Sequence, residues 1–155
     1  MISEIRTFDL PDQDATARLG LGLGRLLFSG AVIGLAGPLG AGKTYLIRAA
    51  AEGLGLGNSR VVTSPTFVLI QEYQARLPIY HFDAYRLGSE REFLDLGALE
   101  YFEGDGVCLV EWADRVLGTL PPEHLWVELT VTGETSRRAT ITGRGERYAA
   151  LLRKL

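Results

Sequence analysis

Lysine is scarce in this chain. Of 16 basic residues only Lys43 and Lys154 are lysines; the other 14 are arginines. That scarcity excludes the [NT]-K-x-D motif with which GTPases read guanine, because neither lysine stands in such a pattern. It also marks Lys43 as something other than ordinary surface charge. Cysteine is nearly absent. Cys108 has no second thiol to pair with, and its apolar surroundings in the sequence fit a buried, inert side chain. Only two histidines occur, His81 and His124, and no cysteine or second histidine sits at metal-ligand spacing from His81. A packed, hydrogen-bonded imidazole is therefore expected there. No apolar stretch is long enough to span a bilayer, and the first residues carry Glu4 and Asp9 where a signal peptide would be apolar. A cytoplasmic protein without a membrane partner is the expectation. An excess of positive charge is missing too. The formal net charge of −3 argues against autonomous nucleic-acid binding, although a local arginine cluster can still touch RNA within a complex.

What the chain does have is Gly37-Pro38-Leu39-Gly40-Ala41-Gly42-Lys43-Thr44, which meets G-x-x-x-x-G-K-[ST] at every fixed position. Glycines let the backbone turn tightly and approach a phosphate with no Cβ in the way. The turned backbone aims successive N–H groups into one concavity, which Gly37, Leu39, Gly40, Ala41 and Gly42 help to form, and Tyr45 just beyond is a further candidate nucleotide contact outside that nest. Lys43 is placed to reach the β- and γ-phosphates and the Thr44 hydroxyl to ligate Mg²⁺. The context agrees. The short apolar run Ala31-Val32-Ile33-Gly34-Leu35-Ala36 reads as a buried parallel strand, and good helix formers run from 43 to 52 before Gly53 and Gly55 end the helix.

The rest of the 155 residues reads as one α/β domain spanning 1–155, a mostly parallel central sheet flanked by helices with a C-terminal antiparallel hairpin. Residues 3–10 suit an edge strand. Pro11-Asp12 ends it, and a helix follows over about 13–29 with leucines at helical spacing. Gly20, Gly22 and Gly24 lie within that helix. They lack the third glycine of a dinucleotide loop, so they predict close packing on a neighbour. Val61-Val62 begins an extended segment that leads into Ser64-Pro65-Thr66-Phe67, which is either a polar turn or a switch-like loop whose hydroxyls sense a γ-phosphate. A strand over 77–82 delivers Asp83, either a helix cap or an acid that holds Mg²⁺ through water or takes a proton from attacking water. Residues 90–103 read as a half-exposed helix pair with an acidic solvated side.

Four apolar residues then lead to Glu111, as in the strand that lies beside the phosphate-loop strand in ATPases and carries an acid toward Mg²⁺. Trp112 either covers that site or packs as core. Alternation over 125–131, a turn at 133–136 and a return over 137–142 predict the hairpin, and a short helix closes the chain. Arg137 or Arg138 on the hairpin can approach the nucleotide or remain at the surface. With guanine recognition excluded, ATP is the expected nucleotide. A nucleotide-gated binding module with little turnover and a small-molecule kinase remain alternatives, although the short connections leave a kinase little room for an acceptor domain or lid.

Four motifs in order carry a family resemblance: the glycine-rich loop, Ser64-Pro65-Thr66-Phe67, His81-Phe82-Asp83-x-Tyr85-Arg86 and Val110-Glu111-Trp112. Over about residues 12–130 the chain resembles the TsaE (YjeE) family, the ATPase component of bacterial tRNA threonylcarbamoyladenosine biosynthesis. Pro38 stands where the family usually has Asp, and Tyr45 where it usually has a second Thr. The resemblance implies ATP and Mg²⁺ as ligands and slow hydrolysis that partners stimulate. Those partners are TsaD and TsaB, with tRNA engaged only through the complex. It implies that Lys43 holds the phosphates and that Thr44 and Glu111 hold the metal. Asp83 is the acid at the reacting end, and either Asp83 or Glu111 positions water. Thr66 belongs to the switch-like loop. It also implies that Asp12 to Thr16 lie near the adenine. From the hairpin itself, independently of the resemblance, Arg138 is a candidate nucleotide contact.

Overall fold

The structure is a computed structural model that describes residues 1–63 and 69–155. Ser64-Pro65-Thr66-Phe67, including Thr66, lies outside the described residues. Alternating exposed and inward side chains make β1 (Ser3–Leu10) an edge strand. Asp12 accepts the Ala15 N–H at 2.8 Å and starts α1 (Gln13–Leu26), which ends three residues short of the expected 29. The wholly buried β2 (Val32–Ala36) runs into the glycine-rich loop, and α2 (Lys43–Gly53) follows. Where extended chain is expected from residue 61, Ser59–Val61 instead forms a single 3-10 turn; Asn58 accepts the Arg60 N–H, and the chain becomes extended only at Val62.

Next come β3 (Ile70–Gln74) and β4 (Pro78–Asp83). Two short helices, α3 (Glu90–Asp95) and α4 (Ala98–Phe102), are separated by Gly97 at φ 86°. Then β5 (Val107–Glu111), a 3-10 stretch Ala113–Thr119, β6 (His124–Val131), β7 (Arg137–Arg144) and α5 (Glu146–Lys154) complete the chain.

The strands form one sheet in the order β1-β7-β6-β2-β5-β4-β3. Its centre, β6-β2-β5-β4, is parallel throughout. Antiparallel partners close both sides: β7 and β1 beyond β6, and β3 beyond β4. This is the anticipated mostly parallel sheet with a C-terminal hairpin. Successive residues of a strand face opposite sides, so β5 sends Val107 and Leu109 into one core and Cys108 and Val110 into the other. The first core lies under α1, α2 and α5; the second lies under α3 and α4.

The helical glycines decide how closely α1 meets α2. A Cβ on Gly24 would lie 2.0 Å from the Ala50 carbonyl oxygen, and one on Gly20 would lie 2.5 Å from the Ala49 Cβ. Gly22, on another side, would meet only the Leu155 side chain at 3.4 Å. The expected tight packing therefore rests on Gly20 and Gly24. From the opposite end, α5 fixes the start of β2: the buried Val32 N–H donates to the Tyr148 hydroxyl at 2.9 Å.

Candidate functional site

The carboxyl ends of β2, β5 and β4 stand side by side, which is where open α/β sheets bind ligands. Leu35 of β2 pairs with Glu111 of β5, and Glu111 in turn with Asp83 of β4. The loop leaving β2 therefore rises next to both acids. Its glycines are conformational requirements. Gly40 and Gly42 have φ of 80° and 99°, with open space where a Cβ would be. Gly37, at φ 148°, is barred by space as well, since a Cβ would lie 2.5 Å from the Leu129 carbonyl oxygen. Gly42 is the N-cap of α2 and offers no side-chain cap. The first-turn amides and the positive helix end are thus directed at the cleft, as an anion site needs.

Lys43 is nearly enclosed, 5% exposed. Its Nζ donates to the Gly37 and Pro38 carbonyls at 2.7 and 3.0 Å and sits 3.9 Å from the centre of the Trp112 ring. Burial pushes its pKa down, and the charges of Glu111, Asp114 and Asp83 pull it partly back. Trp112 is thus a wall of the site. Its φ of 57° makes it the one non-glycine residue with positive φ among the described residues. Its ring also lies 4.8 Å from that of Tyr85, and the Arg115 guanidinium lies 5.0 Å from the Tyr85 ring.

Glu111 is buried, at 2% exposure. Its Oε1 accepts the Thr44 hydroxyl at 2.8 Å, and its Oε2 lies 2.5 Å from His81 Nε2. Asp83 is not a helix cap: Ser89 caps α3, while Asp83 Oδ1 accepts the Tyr85 N–H at 2.9 Å in a tight turn. Burial raises the Asp83 pKa. The Tyr85 amide opposes that rise, Glu111 adds to it, and His81 and Lys43 oppose it.

Two adjoining hollows share Gly40, Gly42 and Tyr45. One of about 230 Å³ is bounded by Leu39, Lys43, Thr44, Glu111 and Trp112. The other, about 140 Å³, is bounded by Gln13, Thr16, Ala41, Glu134, Thr135 and Arg137. Among the described residues no group of three or more His, Cys, Asp or Glu can hold a metal ion. A hard cation with oxygen ligands still fits, because Mg²⁺ commonly takes one or two protein oxygens and completes its shell with phosphate and water. Thr44 and Glu111, whose side chains meet at 2.8 Å, are the oxygen groups that would offer such a pair.

A family model described as "Threonylcarbamoyl adenosine biosynthesis protein TsaE" matches residues 10–140. The chain belongs to the TsaE family. The TsaE of Treponema pallidum is 45% identical over 126 residues, covering 81% of this chain and 92% of that protein. The TsaE of Bacillus subtilis is 44% identical over 151 residues, covering 97% and 91%. The crystal structure of Bacillus subtilis YdiB superposes with a TM-score of 0.82 at 34% identity, covering 99% of this chain and 95% of that one.

In this TsaE-family chain the anticipated site residues do not all converge. Gly37, Leu39, Gly40, Ala41, Gly42, Lys43, Thr44, Tyr45, Asp83 and Glu111 gather at the β2 loop and the adjoining strand ends. Thr16 is buried and faces the second hollow. Asp12 lines neither hollow; its Oδ1 caps α1 by accepting the Ala15 N–H. Arg138 does not either: it turns away to pair with Asp9 at 2.9 Å. The hairpin arginine near the loop is Arg137, whose Nη2 donates to the Gly40 carbonyl at 3.1 Å. Strand parity carries this distinction, since Arg137 shares a face with buried Ala139 and Ile141 and Arg138 does not. Gln13 falls within the stretch expected near the adenine, whereas Glu134 and Thr135 had no signal in the sequence beyond turn chemistry. His81 is packed and hydrogen-bonded as anticipated, and its partner is Glu111.

Proposed function

We propose that this chain is the ATP-binding and ATP-hydrolysing subunit that supports threonylcarbamoyladenosine modification of tRNA, acting with TsaD and TsaB. Membership of the TsaE family supports the pathway. The observation that carries the chemistry is the joined set Lys43, Thr44 and Glu111: one buried cation and one oxygen pair, from the start of α2 and the end of β5, meet beside a loop whose amides face the same cleft.

The loop amides and Lys43 hold the phosphate chain. In the transition state they meet charge that develops on the γ-phosphoryl oxygens, within a partly desolvated site where such contacts are strong. Thr44 and Glu111 would hold Mg²⁺, which when bound would neutralise phosphate charge. Glu111 is engaged by Thr44 and His81, whereas Asp83 commits one oxygen to the Tyr85 amide. Asp83 is therefore the better residue to orient water and accept its proton, and its raised pKa suits a base. The second hollow, with Thr16 and Arg137, takes the nucleoside end.

The test is phosphate release from ATP, with and without the TsaD–TsaB pair. Stimulation by the pair is expected, and Lys43→Ala is expected to lower the stimulated rate by about a hundredfold or more. A variant as active as wild type would overturn the mechanism. No stimulation would indicate a nucleotide-gated binding module, and phosphate passed to an acceptor would indicate a kinase.

A further inference from the structure

His81 is wholly buried in β4 and stands opposite Leu109 in the register, two residue pairs below the Asp83–Glu111 pair. Its Nε2 lies 2.5 Å from Glu111 Oε2, while its Nδ1 has no hydrogen-bond partner among the described residues. A buried orphan nitrogen carries a desolvation cost that an apolar residue of similar size would avoid. Its surroundings make that cost easy to see, because Ile79 and Leu109, on the same face of the sheet, are buried apolar side chains. The arrangement makes chemical sense if the imidazole is there for the carboxylate. A carboxylate oxygen accepts, so the bond to Glu111 places a hydrogen on Nε2. The other oxygen of the same carboxylate receives the Thr44 hydroxyl at 2.8 Å. The two bonds fall on opposite oxygens of the Glu111 carboxylate.

We propose that His81 is a positioning residue that sets Glu111 against Thr44, so that the oxygen pair for the cation is in place before the cation arrives. The chain is His81 Nε2 to Glu111 to Thr44, the residue that directly follows Lys43. This rests on the reading of Thr44 and Glu111 as the cation-holding pair. Groups that orient a metal-bound carboxylate typically alter metal affinity when removed, by about 10–100-fold. A merely structural histidine would change melting temperature and leave the cation requirement where it was.

The experiment measures ADP binding by calorimetry at a series of Mg²⁺ concentrations and, separately, without Mg²⁺. In wild type, Mg²⁺ is expected to tighten binding; if it does not, the cation-site reading fails, whatever His81 does. In His81→Leu the Mg²⁺ concentration for half-maximal tightening is expected to rise by about tenfold or more, with Mg²⁺-free binding unchanged. His81→Gln, whose amide nitrogen can reach the position of Nε2, is expected to return close to wild type. Equal Mg²⁺ requirements in wild type and His81→Leu would overturn the proposal. If His81→Leu does not fold, the comparison moves to His81→Gln against His81→Asn, whose shorter amide cannot reach Glu111. The proposal then requires the Asn variant alone to need more Mg²⁺, and equal values in the two overturn it.

Discussion

Two carboxylates stand side by side at the ends of β4 and β5, and their surroundings give them different work. Glu111 is locked by a hydroxyl and an imidazole, whereas Asp83 is held by one backbone amide and pushed by burial toward its protonated form. The second condition has a thermodynamic sign. A carboxyl whose folded pKa lies above its unfolded value, about 4, binds protons more tightly in the native state. The stability this contributes is present below the unfolded value and is lost as pH rises through the raised folded value. At pH 7 an ionised Asp83 therefore lowers stability. Asp83→Asn keeps an oxygen for the Tyr85 amide and removes the charge. It is expected to melt higher than wild type at pH 7, with the difference shrinking as pH falls toward 4, and to lose ATP hydrolysis. A lower melting temperature at pH 7 would show that the charge is held favourably and that Asp83 is not poised as a base. Trp112 shows the same pattern in its backbone, since a bulky residue at φ 57° is strained and is kept where its ring meets Lys43.

At the scale of elements, the close approach of α1 to α2 fixes how the glycine-rich loop is supported, and two substitutions separate packing from propensity. Replacing a mid-helix glycine by alanine favours an isolated helix by about 1 kcal/mol. At Gly22 that gain stands, because the new Cβ meets only a flexible side chain at 3.4 Å. At Gly24 the Cβ would overlap the Ala50 carbonyl at 2.0 Å, and backbone cannot step aside as a side chain can. Overpacking costs about 1–3 kcal/mol, and a backbone clash belongs at the upper end, so the penalty exceeds the gain. Gly24→Ala is expected to lower Tm by about 4–8 °C, whereas Gly22→Ala leaves it equal or raises it. Equal shifts in the two variants would mean that α1 and α2 are not packed in this way.

The pattern of elements was legible where period and spacing act locally. The apolar run of β2, the loop, α2 and Glu111 each carry their own signal within a few residues. Other features depend on what lies across the molecule. The turn at Ser59–Val61 interrupts a valine pair that reads as extended chain, and Asn58 organises it through its side chain. Local sequence also offers Arg138 and Arg137 alike, and only the face they occupy separates them.

At the scale of the whole molecule, four parallel strands deliver their carboxyl ends to one edge, so residues as distant as Leu35, Asp83 and Glu111 become neighbours. The antiparallel flank then adds a contribution that no local motif announces. β7 follows β6 in a hairpin whose turn residues Glu134 and Thr135 border the same hollow as Gln13 and Thr16 at the start of α1. Three stretches far apart in sequence thus surround one cleft, and Arg137 ties the hairpin to the loop through the Gly40 carbonyl. If that cleft receives one nucleotide, its binding must be felt in all three. A ligand at 100 times its Kd stabilises the folded state by about 2.7 kcal/mol, enough to slow amide exchange wherever exchange needs global or local opening around the site. Hydrogen exchange with Mg²⁺ and ADP is expected to show added protection at residues 13–16 and 133–137 as well as at 37–45. Arg137→Ala is expected to remove the added protection at the hairpin while leaving that at the loop. Protection confined to 37–45 in the wild-type protein would mean that the nucleotide engages the phosphate loop alone and that the second hollow has no part in holding it.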